Sequence, residues 1–180
     1  MKNLIKDFKK QSEVEDRIIK KYQDRVPKEI SEFWKEYGFG TFFDGYLKSV
    51  NPENFEEILR LGSQRFQDGI VLFATGMGDL IIWSDNYVRV LNFRYGIIDT
   101  VMSGFTFFFE DVSDIDFRVE ELKWSPYPQA TELLGAIEYN ECFGYLPILG
   151  IGGAEKVENL EKVQLIEHLQ LIIEFMGPIV

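Results

Sequence analysis

The sequence has very few of the side chains on which catalytic and metal centres most often depend. Its 180 residues include one cysteine, Cys142, and one histidine, His168. A single cysteine excludes an internal disulfide and a multi-cysteine zinc site, and a single histidine excludes a metal centre built on two imidazoles. We therefore expect no bound metal, no cofactor and no enzymatic activity.

Long apolar runs are also missing. None approaches the roughly 20 residues that a helix needs to cross a bilayer. The start of the chain, MKNLIKDFKKQSE, is too highly charged, and its apolar stretch too short, for a signal peptide. We therefore expect a cytoplasmic protein without a membrane partner.

Cations are scarce relative to acids. Lys and Arg total 19 against 30 Asp and Glu, which gives a formal net charge of −11. Such a charge repels the phosphate backbone of nucleic acids and attracts proteins with a basic surface. We therefore expect no direct nucleic-acid binding. The alternative is that the acids only keep the protein soluble.

Apolar and aromatic residues are plentiful, at 46% and 15% of the chain, and predict one sizeable core. Helical spacing predicts helices at 4–9, 13–22, 27–37, 52–61 (capped by Asn51), 127–134 and 167–175. Short β-branched and aromatic runs predict strands at 46–50, 70–74, 80–84, 87–93, 98–101, 105–109, 145–149 and 163–165. This order predicts an α+β fold with N-terminal helices, a central antiparallel sheet and a C-terminal helix.

One stretch, residues 110–121, is strongly acidic. A single cation, Arg118, stands there against six acids, Glu110, Asp111, Asp114, Asp116, Glu120 and Glu121. Such a run does not belong in a core, so we expect either a solvated loop and edge strand or a binding face that imitates the charge of DNA. Trp124 follows it, and a rigid aromatic beside carboxylates makes a good contact anchor.

Three blocks of sequence resemble a known family. They are residues 25–52 (RVPKEISEFWKEYGFGTFFDGYLKSVNP), 73–96 (FATGMGDLIIWSDNYVRVLNFRYG) and 141–172 (ECFGYLPILGIGGAEKVENLEKVQLIEHLQLI). In this order they resemble the GAD-like domain and C-terminal segment of bacterial immunity proteins that neutralise toxins of type VI secretion systems. A more distant resemblance is to the Smi/Knr immunity group.

The resemblance implies both an organisation and a function. Residues 1–21 would be a basic N-terminal extension or helix, 22–100 a GAD-like segment, and 101–180 a C-terminal immunity segment that shares one core with it. The protein would bind a cognate toxin with a basic surface, expected to be a nuclease, and block it by steric and electrostatic occlusion. We predict as partner-binding residues the six acids of 110–121 and Trp124, together with Asp44, Tyr46 and Asp79.

Two other classes of function are considered. A small-molecule or peptide-binding regulatory module could use a groove around Trp34, Tyr37 and Tyr46. A hydrolase could use paired carboxylates, for instance Asp44 with Asp79, or a nucleophilic Cys142 with His168. For both aspartates the competing interpretation is a turn residue, and for Cys142 and His168 it is a structural role.

Overall fold

The computed structural model describes residues 7–180, and its main feature is a seven-stranded antiparallel sheet. Each strand pairs with the next one along the chain, so the sheet is a meander. The strands are β1 (Lys9–Ser12), β2 (Phe39–Phe42), β3 (Leu47–Ser49), β4 (Ile70–Thr75), β5 (Leu80–Ser84), β6 (Tyr87–Asn92) and β7 (Ile97–Ser103).

Both faces of this sheet are covered. Successive side chains of a strand point to opposite faces, and in β5 Ile81 belongs to one hydrophobic cluster while Leu80 and Ile82 belong to the other. A bulge between Val71 and Phe73 shifts the register between β4 and β5. The central strands are therefore buried on two sides, which explains why β4 is apolar almost throughout, whereas the edge strands β1 and β7 are more exposed.

Helices form a layer on each side of the sheet. The first cluster takes side chains from α1 (Asp16–Tyr22), α2 (Lys28–Tyr37), α4 (Phe108–Asp111) and α6 (Pro126–Leu134). The second takes side chains from α3 (Glu56–Gly62) and α7 (Leu165–Met176). Between α4 and α6 lies α5 (Ile115–Glu120), and a small second sheet pairs β8 (Glu141–Tyr145) with β9 (Leu160–Gln164).

This architecture confirms the predicted α+β class. Most predicted helices and the predicted meander are present, and Asn51 caps its helical segment by accepting a hydrogen bond from the Glu53 N–H at 3.1 Å. That segment begins with a 3-10 turn, Pro52–Phe55, before α3. Among residues 7–180, no helix combines the length and apolar character needed to cross a membrane.

The predicted strand at 105–109 is wrong. Phe108 begins α4, because Phe105, Phe108 and Phe109 have the i, i+3, i+4 spacing that places side chains on one helical face. All three are buried, and the Phe108 ring stacks on Phe73 with 5.3 Å between ring centroids. Phe107 is left exposed. The acidic run that follows is correspondingly helical, so the predicted loop and edge strand is also wrong.

Two further predictions need correction. The predicted strand at 145–149 is wrong, because β8 ends at Tyr145 and Pro147 has no N–H to continue a ladder. The predicted helix at 4–9 lies partly outside the described residues, and Lys9 already belongs to β1. The strands β1 and β2 were not predicted. Gly38, with φ +85°, ends α2 and turns the chain directly into β2.

Candidate partner-binding surface

The acidic stretch 110–121 forms a surface of one charge sign. Its only cation, Arg118, is 9% exposed and points inward, where its Nη1 donates a hydrogen bond to the Val112 carbonyl at 2.7 Å. The guanidinium lies over the Phe43 ring at 4.1 Å and the Trp124 ring at 5.3 Å. The charges left facing solvent are therefore all negative.

The carboxylates of this acidic surface are not neutralised by ion pairs within the described part of the chain. Within residues 7–180, none of its six acids forms an ion pair within 4.0 Å. The acids near α1 behave differently, because Glu53 contacts both Arg17 at 2.6 Å and Lys21 at 2.9 Å. Because these carboxylates are not paired within the described residues, their negative charge remains available to a basic partner.

Apolar side chains are exposed among these acids. Ile115 is 51% exposed and Val119, one helical turn later on α5, is 37% exposed. Phe107, immediately before α4, is 62% exposed. Apolar anchors bordered by charge are typical of protein–protein contact surfaces, in which the anchors supply affinity and the charges supply orientation.

Asp114 has a second, structural task. It is the N-cap of α5, and its side chain accepts a hydrogen bond from the Asp116 N–H at 2.9 Å. Replacing a capping aspartate typically costs about 1 kcal/mol. Asp116 lies in the first turn of the same helix, where a negative charge is also favourable.

Trp124 is half-buried and lies against the core. Its ring meets that of Tyr46 edge-on, with 6.2 Å between the centroids, and Arg118 covers it. The indole Nε1 is buried without a hydrogen-bond partner among the described residues. Trp124 therefore packs beneath the acidic surface, between Tyr46 and Arg118, and does not project from it.

Two of the predicted contact residues are inaccessible. Tyr46 is fully buried, and its hydroxyl donates to the Leu122 carbonyl at 2.6 Å. Asp79 is fully buried as well, and it pairs with Arg94 at 2.6 Å. Burial raises the pKa of Asp79, and the adjacent Arg94 guanidinium opposes this shift. In this structure both residues hold the fold together and neither reaches a partner.

Asp44 is exposed, at a position with φ +53°, and lies 3.7 Å from the Lys9 Nζ. It does not converge with Asp79, because one carboxylate faces solvent and the other lies in the core. The proposed groove of the alternative binding module is also not formed, since Trp34 and Tyr46 are core residues. The Asp44–Asp79 pair and an open groove containing Trp34 and Tyr46 are therefore not formed in this structure.

Cys142 and His168 are neighbours in the core. A Cβ added to Gly78 would lie 3.4 Å from the Cys142 Sγ and 3.9 Å from the His168 Cδ2. Burial raises the pKa of the Cys142 thiol to about 12, and burial lowers the pKa of His168. At neutral pH the sulfur is a thiol, which is not the nucleophilic form. In the described part of the chain, no three His, Cys, Asp or Glu side chains are arranged to hold a metal ion.

Sequence reasoning missed a buried lysine. The side chain of Lys48, in β3, donates hydrogen bonds to the Glu138 carbonyl at 2.8 Å, the Tyr139 carbonyl at 3.0 Å and the Glu141 carbonyl. Burial lowers the pKa of Lys48 to about 8. The one available signal was a lysine inside the otherwise apolar predicted strand at 46–50.

The fold and surface together define a class: a three-layer α+β protein whose most prominent accessible feature is an acidic surface with exposed apolar side chains. The chain belongs to the GAD-like domain family, whose model matches residues 1–95. A second model, described as T6SS immunity protein Tdi1, C-terminal, matches residues 102–176. Both matches confirm the family that the sequence resembled.

The solved structures that resemble this chain include a crystal structure of Atu4351 from Agrobacterium tumefaciens. The TM-score is 0.77 and the sequence identity 17%, over 93% of this chain and 86% of that chain. At this identity the likeness shows a shared fold. A comparison with curated proteins gave no match.

Proposed function

We propose that this protein is an immunity protein that binds a cognate secreted toxin and blocks it without turnover. The two family matches support this role. The observation that carries the mechanism is the inward turn of Arg118, which leaves 110–121 exposed as unpaired carboxylates around apolar side chains.

The proposed mechanism is occlusion. Unpaired acids steer a basic partner toward the surface and raise the association rate, most strongly at low salt. Burial of Phe107, Ile115 and Val119 then slows dissociation. A nuclease fits this chemistry, because a cleft that binds DNA presents the positive charge that such a surface complements.

The contact set follows from accessibility. It comprises Glu110, Asp111, Asp114, Asp116, Glu120 and Glu121, with Asp44 as a peripheral member and Trp124 as the supporting ring. Tyr46 and Asp79 are left out. We also propose that the protein acts in the cytoplasm and that segments 22–100 and 101–180 share one core, because both hydrophobic clusters include side chains from each segment.

The test reverses charge where the fold tolerates it. Glu110→Lys with Glu120→Lys spares the Asp114 cap, and a lysine in the last turn of α5 suits the helix dipole. The matched control, Glu161→Lys with Glu174→Lys, makes the same change in net charge at exposed acids of β9 and α7. The partner to test is a secreted toxin sought in the reading frames beside this gene, and the readouts are growth on co-expression and the dissociation constant.

Each reversal replaces an attraction with a repulsion, and an exposed charge pair contributes roughly 0.2–1 kcal/mol. The double reversal should therefore weaken binding by about 1–3 kcal/mol, or roughly 5- to 150-fold, chiefly through slower association. The control should protect cells as the native protein does. If both double variants lose the same binding affinity, the effect comes from net charge and not from this surface. Full protection by Glu110→Lys with Glu120→Lys would refute the role of this surface in toxin binding.

A further inference from the structure

A cavity separate from the acidic surface lies where the β6–β7 turn, β8 and α7 meet. Its volume is about 320 Å³, within the range of roughly 300–1,000 Å³ that small-molecule sites occupy. Much of its lining is apolar: Phe93, Ile148, Leu149, Ile172, Met176 and Ile179. No residue of α4 or α5 lines it.

Three polar side chains line this cavity, and one of them has a fully buried nitrogen without a hydrogen-bond partner among the described residues. His168 is 5% exposed and Tyr145 is 2% exposed, and neither side chain is held by a hydrogen bond to a described residue. Arg94 is 6% exposed, and its Nη1 has no partner among residues 7–180. A buried donor without a partner is rare, and the Tyr145 hydroxyl and the His168 ring line the same cavity, so a ligand with hydrogen-bonding atoms would find several partners here.

Two glycines make room for the α7 side chains that line this cavity. Gly144 of β8 lies directly against the imidazole, and a Cβ there would come within 2.5 Å of the His168 Nε2. At the other side, a Cβ on Gly150 would come within 2.1 Å of the Met176 Sδ. Both glycines therefore allow side chains of α7 to pack beside the cavity.

The charges around the cavity indicate the class of ligand. Arg94 is the only charged side chain in its lining, and Asp79 neutralises it at 2.6 Å. At the rim, the Tyr95 hydroxyl donates to the Glu155 carboxylate, which adds negative charge. No net positive charge remains to hold an anion. The aromatic rings of Phe93, Tyr95, Tyr145 and His168 instead offer surfaces for a flat molecule.

We propose that this cavity binds a small, uncharged aromatic molecule that carries hydrogen-bonding atoms. Its ring would occupy the apolar part beside Ile172, and its polar end would reach Tyr145 and His168. This site is independent of toxin neutralisation, so each proposal can fail without the other.

The probes are 2-naphthamide and its anionic isostere 2-naphthoate. His168 is the only histidine, so its ring proton resonances report on the cavity without overlap from another imidazole. We expect 2-naphthamide to shift these resonances with a dissociation constant of about 1 mM or tighter. We expect 2-naphthoate to bind at least tenfold more weakly, because the Asp79–Arg94 pair offers no net charge.

Two variants test the location. Ile172→Phe should fill the cavity and weaken 2-naphthamide binding at least tenfold, whereas Ile166→Phe, on another face of the same helix, should leave it unchanged. If Ile172→Phe does not fold, Tyr145→Phe removes only a hydroxyl and should weaken binding about fivefold with an unchanged melting temperature. Absence of any shift with 2-naphthamide, equal affinity for both probes, or equal binding by all three variants and the native protein would overturn the proposal.

Discussion

The buried pair of Asp79 and Arg94 gives the sharpest test of how this chain is held together. The perturbation is Asp79→Asn, which keeps the shape of the side chain and removes its charge. In the native protein the carboxylate accepts two hydrogen bonds from Arg94, at 2.6 and 3.4 Å, and the two side chains are 0% and 2% exposed. After the change the guanidinium remains buried, and its other hydrogen bond goes to the Lys123 carbonyl at 3.3 Å.

The expected cost follows from that isolated charge. Removal of one partner from a buried ion pair typically destabilises a protein by about 3–5 kcal/mol. Total stabilities of domains are about 5–15 kcal/mol, so Asp79→Asn should remove a large share of the stability. Replacing both partners, as in Asp79→Leu with Arg94→Met, should recover much of the loss because no charge is then left in the core.

The assay is urea unfolding followed by tryptophan fluorescence and circular dichroism. Asp44→Asn is the matched control, since Asp44 is exposed and asparagine tolerates its positive φ. We expect the control to change the free energy of unfolding by no more than about 0.5 kcal/mol. A cost below about 1 kcal/mol for Asp79→Asn, or additive costs in the double variant, would refute the reasoning.

Two further predictions concern single side chains of the core. Burial lowers the pKa of His168. Near pH 6.5 the unfolded chain therefore binds more protons at this residue than the folded chain does. The free energy of unfolding should then fall as the pH drops from 7 to 5.5, by up to about 1.4 kcal/mol per pH unit. Urea unfolding across this range should show the slope, and His168→Gln should lose it; an unchanged slope would contradict the assignment. Burial raises the pKa of Cys142 to about 12, so iodoacetamide at pH 7.5 should modify the thiol only after unfolding, and rapid labelling of the folded protein would reveal an activated cysteine.

Much of the fold could be predicted because local signals and tertiary packing agree. The Asp85–Asn86 turn, where both residues have positive φ, joins β5 and β6 into an antiparallel hairpin, as the predicted antiparallel sheet requires. Residues 105–109 show where local signals fail, because they disagree. The aromatic content favours a strand, whereas the spacing of three phenylalanines favours a helix. Tertiary packing on Phe73 decides between them.

The candidate surface could be predicted only in outline. The charged composition predicts that the six acids lie outside the core. It does not predict that Arg118 turns inward, because one of the two rings that the guanidinium covers, Phe43, comes from a distant part of the chain. The same limit applies to Asp79. A glycine-rich turn favours an exposed aspartate, and its burial is explained by the pairing with Arg94, which lies in the β6–β7 turn.

Lys48 has a consequence for how this family can diversify. Its ammonium group lies in the half of the chain matched by the GAD-like model, while the carbonyls of Glu138, Tyr139 and Glu141 lie in the half matched by the second model. Exchange of C-terminal parts between relatives would therefore change the backbone that meets this ammonium group. In such a recombinant, Lys48 would keep its three hydrogen bonds only if the new backbone placed carbonyl oxygens at the same three positions.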